Sequence, residues 1–303
     1  MGTRAQRLDI GRSGGRSRVQ LLSLALFNSY YLSAVGKYLC VPVLNCYSCP
    51  IGTVACPIGS ITAFALVRRV PYYIIGFLGL MAVSAGRAFC GWACPFGYLQ
   101  DWLYRIRSPK FKLPRAADSL KYALLVVLVV GLPVALGKGN RETPAERITG
   151  GSSRAADYCA LICPAGTLEA GVPTLIATKQ ARARVSLRTW SKLAILGLVL
   201  VLMVFSRRSF CRGLCPLGAL MAVSAGLSAL NLRTDPATCT RCMRCVLVCP
   251  TASRYVPAAE GEKEASPECV LCLDCVRSCP EPSALSARFV RRAILTSGGT
   301  RVA

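Results

Sequence analysis

The 303-residue chain contains no histidine. That absence excludes histidine-ligated haem, Rieske-type iron–sulfur centres and the usual imidazole sites for copper and zinc. It also removes the commonest proton acceptor, so any proton uptake falls to carboxylate, tyrosine, lysine or water. Acidic residues are scarce too: 14 Asp plus Glu stand against 37 Lys plus Arg, a formal net charge of +23. In a soluble protein that excess would suggest a nucleic-acid surface. Here most of it lies before residue 234, between long apolar runs, which is the pattern of membrane loops and lipid headgroup contact. No nucleic-acid partner is expected. Residues 1–18 lack the small-residue cleavage site of a secretory leader and read as a basic cytoplasmic tail.

What the chain has in quantity is cysteine, 18 in all. Eight form the run Cys239-x2-Cys242-x2-Cys245-x3-Cys249-Pro250 and, further on, Cys269-x2-Cys272-x2-Cys275-x3-Cys279-Pro280. This doubled spacing is the bacterial ferredoxin signature for two [4Fe–4S] clusters. Three sulfurs of each run wrap one cube and the fourth crosses to the other. Cys239, Cys242, Cys245 and Cys279 are thus expected at one cluster, and Cys269, Cys272, Cys275 and Cys249 at its neighbour. Structural zinc does not need the third Cys or the Cys-Pro ending, and x2 neighbours are ligand rather than disulfide spacing.

Mean hydropathy is +0.45 and 53% of residues are hydrophobic. Four apolar runs (19–39, 72–88, 120–136 and 190–205) approach the ~20 residues that a bilayer crossing requires. Basic flanks put the N-terminus and the cysteine-rich C-terminal part on the cytoplasmic side. The segments 57–67 and 166–178 are shorter and are candidates for re-entrant elements. Interfacial helices are expected after Cys94 and over about 217–230.

The apolar part repeats itself. Cys49-Pro-Ile-Gly-Thr resembles Cys163-Pro-Ala-Gly-Thr, and Cys90-x3-Cys94-Pro-Phe-Gly resembles Cys211-x3-Cys215-Pro-Leu-Gly. Parallel repeats related by an axis along the membrane normal would gather Cys90, Cys94, Cys211 and Cys215 at the inner face. The same axis would gather Cys46, Cys49, Cys159 and Cys163 at the outer face. Four thiolates suit a further Fe–S cluster, or a soft copper(I) or zinc ion. Cys40 and Cys56 read as small buried apolar residues, although a disulfide among Cys46, Cys49 and Cys56 is also open.

The expected fold is therefore mainly α. It comprises a polytopic membrane helical bundle from two tandem repeats, with a small C-terminal α+β bacterial-type 2[4Fe-4S] ferredoxin domain. The expected boundaries are a tail at 1–18, repeat 1 at 19–107, a loop at 108–118 and repeat 2 at 119–231. The ferredoxin domain follows at 232–288 and a basic tail at 289–303.

With two C-x3-C-P motifs, CGWACPFGYLQD and CRGLCPLGAL, followed by the doubled ferredoxin array, the chain resembles the NapH/MauN-type membrane polyferredoxins. The resemblance runs over about residues 19–285. It implies a prokaryotic inner-membrane protein passing electrons between the quinone pool and redox partner proteins. No flavin domain or flavin attachment sequence is visible, and the additional motifs NCYSCPIGTVACPIG and YCALICPAGTLEAG depart from the simplest members.

Electron transfer between a cytoplasmic head and quinone, or a partner across the membrane, is the expected function. The alternative is a copper-binding, copper-reducing assembly factor. Clusters at opposite faces would lie up to ~30 Å apart across the hydrocarbon core, a gap that something must fill. Asp101, beside Tyr98 and Trp102, is a candidate acceptor for a quinol proton, or else an ordinary solvated helix residue.

Overall fold

The computed structural model describes residues 14–36, 39–49, 51–111, 113–114, 116–136, 158–183, 185–251, 266–290 and 292–298. The linkers 137–157 and 252–265, with most of the expected N-terminal tail, lie outside them.

The first apolar run does not form one continuous span. It is divided into α1 (Gly14–Phe27) and α2 (Tyr30–Gly36). The carbonyls at the end of α1 are taken by other groups: Asn28 donates to Leu24 O, Thr53 N and Asn45 Nδ2 to Phe27 O, and Thr53 Oγ1 to Leu26 O. With those acceptors occupied, the helix has a fixed end and the 45–53 loop is pinned beneath it. Helices α3 (Pro57–Leu66) and α4 (Tyr72–Ala85) follow. The short α5 (Ala88–Trp92) and α6 (Pro95–Leu103) come next, the latter being the expected helix after Cys94.

Among the described residues two helices are long and apolar enough to cross a membrane: α7 (Ala116–Leu136) and, later, α11 (Leu187–Phe205), with mean hydropathies of 2.2 and 1.8. Neither is a core helix, because only 17% of each apolar window is buried. Helix α7 widens to π geometry over Leu125–Gly131. Pro133 cannot donate to the carbonyl four residues before it, and the wider register precedes that gap. The same pairing recurs in the second half. There α8 (Tyr158–Leu161) leads into the helical run α9, made of an α-turn Pro164–Gly166, a π-turn Thr167–Gly171 before Pro173, and Val172–Ala177. Helix α10 (Lys179–Ala183) precedes α11; α12 (Ser209–Gly213) and α13 (Pro216–Val223) follow it. The second interfacial helix is shorter than expected, since a 3-10 turn at Ala225–Leu227 turns the chain into a strand.

That strand, β1 (Leu230–Thr234), pairs antiparallel with β2 (Leu285–Phe289), and β2 with β3 (Arg292–Thr296), in the order β1-β2-β3. The third strand thus comes from the segment read as a tail. Helices α14 (Arg244–Val248) and α15 (Asp274–Ser278) each follow a cysteine loop. One hydrophobic core holds Cys94, Cys163, Cys215 and Tyr158 among Phe96, Phe210, Met203 and Met221, with Phe96 and Phe210 edge to face at 4.9 Å. The sheet and α15 pack around Leu232, Val276, Leu285 and Ala287, with Ala88 and Trp92 from the scaffold against them.

Candidate iron–sulfur centres

In each ferredoxin loop the residues on either side of the middle cysteine are left-handed: Arg241 and Met243 around Cys242, Leu271 and Leu273 around Cys272. Four non-glycine residues at equivalent positions accept this strain, and the loops coil around a common centre as a result. Two small cavities lie inside them. One is lined by Cys239, Cys242, Cys245 and Cys279, the other by Cys249, Cys269, Cys272 and Cys275, with Cys245 at the edge of both. The crossed sets expected from the spacing are therefore the sets that line each cavity. All 18 cysteines lie among the described residues and no disulfide joins any of them.

The head is seated on α5. A Cβ placed on Gly91 would come 2.2 Å from Val270 O, so only glycine allows the backbones to approach this closely. Beside it Trp92 Nε1 donates to Leu271 O at 2.9 Å, and Cys90 packs with Val270 and Cys272. Ion pairs surround this contact. Arg16 pairs with Asp101 and Asp274, Arg207 with Asp274 at 3.2 Å, and Arg208 with Asp101 at 2.7 Å. Glu268, next to the ligand candidate Cys269, accepts from Arg87 at 2.7 Å, from Tyr122 at 3.0 Å and from Lys121.

Two readings of single residues change here. Arg16, expected in a solvated tail, is buried and ion-paired. Asp101 is part-buried and ion-paired rather than solvated. Burial alone would raise its pKa, but Arg208 and Arg16, with Arg207, outweigh it and hold the carboxyl well below the usual range.

Cys90, Cys94, Cys211 and Cys215 come together and interact electrostatically with one another. Cys94 and Cys215 occupy the N-caps of α6 and α13, each followed by Pro at the first helical position. Gly218 N donates back to Cys215 Sγ at 3.2 Å. Two fully buried arginines flank the set. Arg87 stands three residues before Cys90 and Arg208 three before Cys211, each reaching towards the other repeat's glycine. Gln100 Nε2 donates to Cys211 Sγ at 3.0 Å.

Burial first, then the neighbouring thiols Cys211 and Cys90, pushes Cys94 up to about 12. Four buried thiols cannot all ionise without a cation among them, a charge that bound iron would supply. Arg87 Nε is buried with no partner, consistent with a sulfur-rich, anionic group beside it. The donor set therefore fits a cluster. The repeated R-x2-C-x3-C-P-x-G pattern was the available signal for the arginines, and spacing of cysteines alone did not use it.

The second buried set differs from expectation. Cys46, Cys159 and Cys163 line one cavity of about 870 Å³, but the fourth cysteine there is Cys56, not Cys49. Cys49 sits in a tight turn, with Cys49 N on Cys46 O and Gly52 N on Cys49 O. Cys163, with Cys56 and Cys159 against it, belongs to the same hydrophobic core as Cys94 and Cys215. Tyr158 is buried in that core and donates to Leu214 O at 3.0 Å. Members of both sets therefore border one core, whereas the expectation put the sets at opposite membrane faces.

The family described as "4Fe-4S binding domain" matches residues 69–114 and 189–234, and "4Fe-4S dicluster domain" matches 231–280. An uncharacterized protein of Methanocaldococcus jannaschii is 28% identical over 71% of this chain and 79% of its own length. The regulatory protein NosR of Pseudomonas aeruginosa is 32% identical over 53% of this chain, and the ferredoxin-type protein NapH of Escherichia coli 28% over 56%. These matches take in a fifth of NosR and half of NapH. No solved structure matches the chain. Two C-x3-C-P units within one matched family, a doubled ferredoxin array within the other, and these relatives make the chain similar to the NapH-type polyferredoxins and support an iron–sulfur electron-transfer role.

Proposed function

We propose that the protein carries electrons between its ferredoxin head and an acceptor or donor in the membrane, the quinone pool or a membrane redox partner. The observation that carries this reading is the seam at Gly91. There the loop holding Cys272 rests directly on the helix holding Cys90, with Arg16, Arg207, Arg208 and Glu268 fixing the contact. The eight head cysteines would hold two clusters as paired above, and Cys90, Cys94, Cys211 and Cys215 a third. Bound there, the clusters supply one-electron carriers. The chain's own residues hold the sites apart from water at fixed separation and, through Arg87 and Arg208, place positive charge beside them.

Membrane insertion is supported by α7 and α11, whose faces expose Val126, Val127, Leu198 and Val201. A single copper(I) or zinc ion is less well suited to the buried thiols. Among the described residues no three or more Cys, Asp or Glu side chains are placed to hold one ion.

Full-length protein in detergent provides the test. Cys215→Ser is expected to lower iron by about four per chain and leave the two ferredoxin EPR signals in place. In liposomes a quinol should reduce the head in the parent and not in this variant. Unchanged iron in Cys215→Ser would remove the third site, and protein stripped from membranes by carbonate would remove the membrane role.

A further inference from the structure

The structure assigns a fourth iron–sulfur site to Cys46, Cys56, Cys159 and Cys163. This extends the function proposed above and stands on residues that the matched family regions, 69–114 and 189–280, do not include.

Its basis is a local unit that occurs four times. Cys56, Cys94, Cys163 and Cys215 each occupy a helix N-cap, each is followed by Pro, and each has Gly three residues on. In two of them, Cys163 and Cys215, the glycine N–H donates to the cysteine sulfur, at 3.4 Å and 3.2 Å. Proline fixes the helix start and removes an N–H that would otherwise be orphaned, which leaves the later amides to turn toward sulfur. Amide donors on a thiolate favour its ionised, metal-binding form.

The units combine in pairs. Cys94 and Cys215 meet at the inner set; Cys56 and Cys163 interact across the cavity, with Cys46 close to both. The partner four residues before the N-cap is Cys90, Cys211 or Cys159 in three units. In the fourth that position is Gly52, and Cys46 is supplied instead from the loop beneath α1.

Two of the glycines stand beside these sulfurs. A Cβ on Gly166 would meet Cys46 Sγ at 3.5 Å and Cys163 Sγ at 3.7 Å, and one on Gly59 would meet Cys159 Sγ at 3.9 Å. Lys192, whose Nζ donates to Cys159 O at 3.3 Å, and Arg188 bring positive charge to the cavity wall. The same Cys-Pro-x-Gly helix starts as the inner set, again brought together in a pair and joined by two more thiols on one cavity, point to a [4Fe–4S] cluster as the ligand. Cys40 and Cys49 are not part of it: neither lines the cavity.

The test is iron and acid-labile sulfide per chain, with copper and zinc measured in parallel, on the full-length protein purified anaerobically in detergent. Four sites predict about 16 irons in the parent, and about 12 in Cys56→Ser and in Cys163→Ser, with the ferredoxin EPR signals retained. Cys49→Ser and Cys40→Ser should keep the parent value. A parent value of about 12 overturns the fourth site while leaving the third intact. So does Cys49→Ser losing four irons where Cys56→Ser loses none, or stoichiometric copper or zinc in place of the missing iron. Should Cys56→Ser not fold, the parent count and Cys163→Ser still decide.

Discussion

The inner and distal thiol sets begin from the same Cys-Pro-x-Gly unit and end in different surroundings. The inner one lies between two buried guanidiniums, Arg87 and Arg208, with Gln100 donating to one sulfur, beneath the docked head. The distal one faces a cavity of about 870 Å³, with Glu169 accepting from Cys46 N at 2.6 Å and Lys192 at its margin. Fixed positive charge favours an added electron and a nearby carboxylate opposes it. The two sets thus share one local unit, and the side chains around them make one the sealed, more positively surrounded site and the other the accessible one.

Removing a guanidinium is the strongest way to break this contrast. Arg208→Ala leaves the Cys90 carbonyl without its donor and Asp101 without its 2.7 Å partner, both deep in the seam. Breaking a buried pair from one side costs about 3–5 kcal/mol. Thermal unfolding in detergent should fall accordingly, with iron lost from the inner set and retained at the distal one. Arg208→Lys should not restore it, because a single ammonium cannot serve both the carbonyl and the carboxylate. An unchanged melting temperature would mean that the charge there is incidental.

Matched glycine substitutions give a smaller effect that separates the sites by space rather than charge. A Cβ on Gly97 would fall 3.0 Å from Cys90 O and 3.6 Å from an Arg208 nitrogen, whereas at Gly59 only Cys159 Sγ comes within 4 Å, at 3.9 Å. Gly97→Ala should cost about 1–3 kcal/mol and lower inner-set iron, while Gly59→Ala should be tolerated. Equal losses in the two variants would show that the sets are equally tight. Between them, Tyr158→Phe removes one buried bond to Leu214 O and should cost about 1 kcal/mol, with iron content unchanged.

The ferredoxin loops were legible because the spacing of their eight cysteines is itself the geometry: x2 steps enforce a coil, and the crossing of Cys249 and Cys279 follows from the loop order. The inner quartet was legible from duplication. Cys49 was read in place of Cys56 because Cys49-Pro-Ile-Gly-Thr matches Cys163-Pro-Ala-Gly-Thr down to the Thr; Cys56 is also followed by Pro-Ile-Gly, and the sequence does not say which one begins a helix. The choice is made by Asn45 and Thr53, which bind the end of α1 and fix the loop so that the helix starts at Pro57. The ion pairs of the seam were beyond reach for a related reason. Asp101, Arg16 and Asp274 are far apart in the chain, and only the docked head brings them together. The apolar runs were read by length alone, which missed the break at Asn28 and the short α4.

Asp101 provides the finest test of the seam against the sites that it joins. Facing it are Arg16, Arg207 and Arg208, and their combined charge overcomes burial to hold its folded pKa below the ordinary range. In the unfolded chain the carboxyl returns to about 3.9. Between those values the unfolded state binds more protons than the folded one. The stabilisation from Asp101 is thus fully present above about pH 5 and is lost as pH falls through the depressed folded value. The difference in melting temperature between parent and Asp101→Asn should accordingly be constant near neutrality and shrink only in acid. Across about pH 6–9 the carboxyl stays ionised, so quinol-driven reduction of the head should follow the same pH profile in both proteins, differing at most by a constant factor. An inflection present in the parent and missing from Asp101→Asn would return this residue to the role of proton acceptor and the arginines to bystanders.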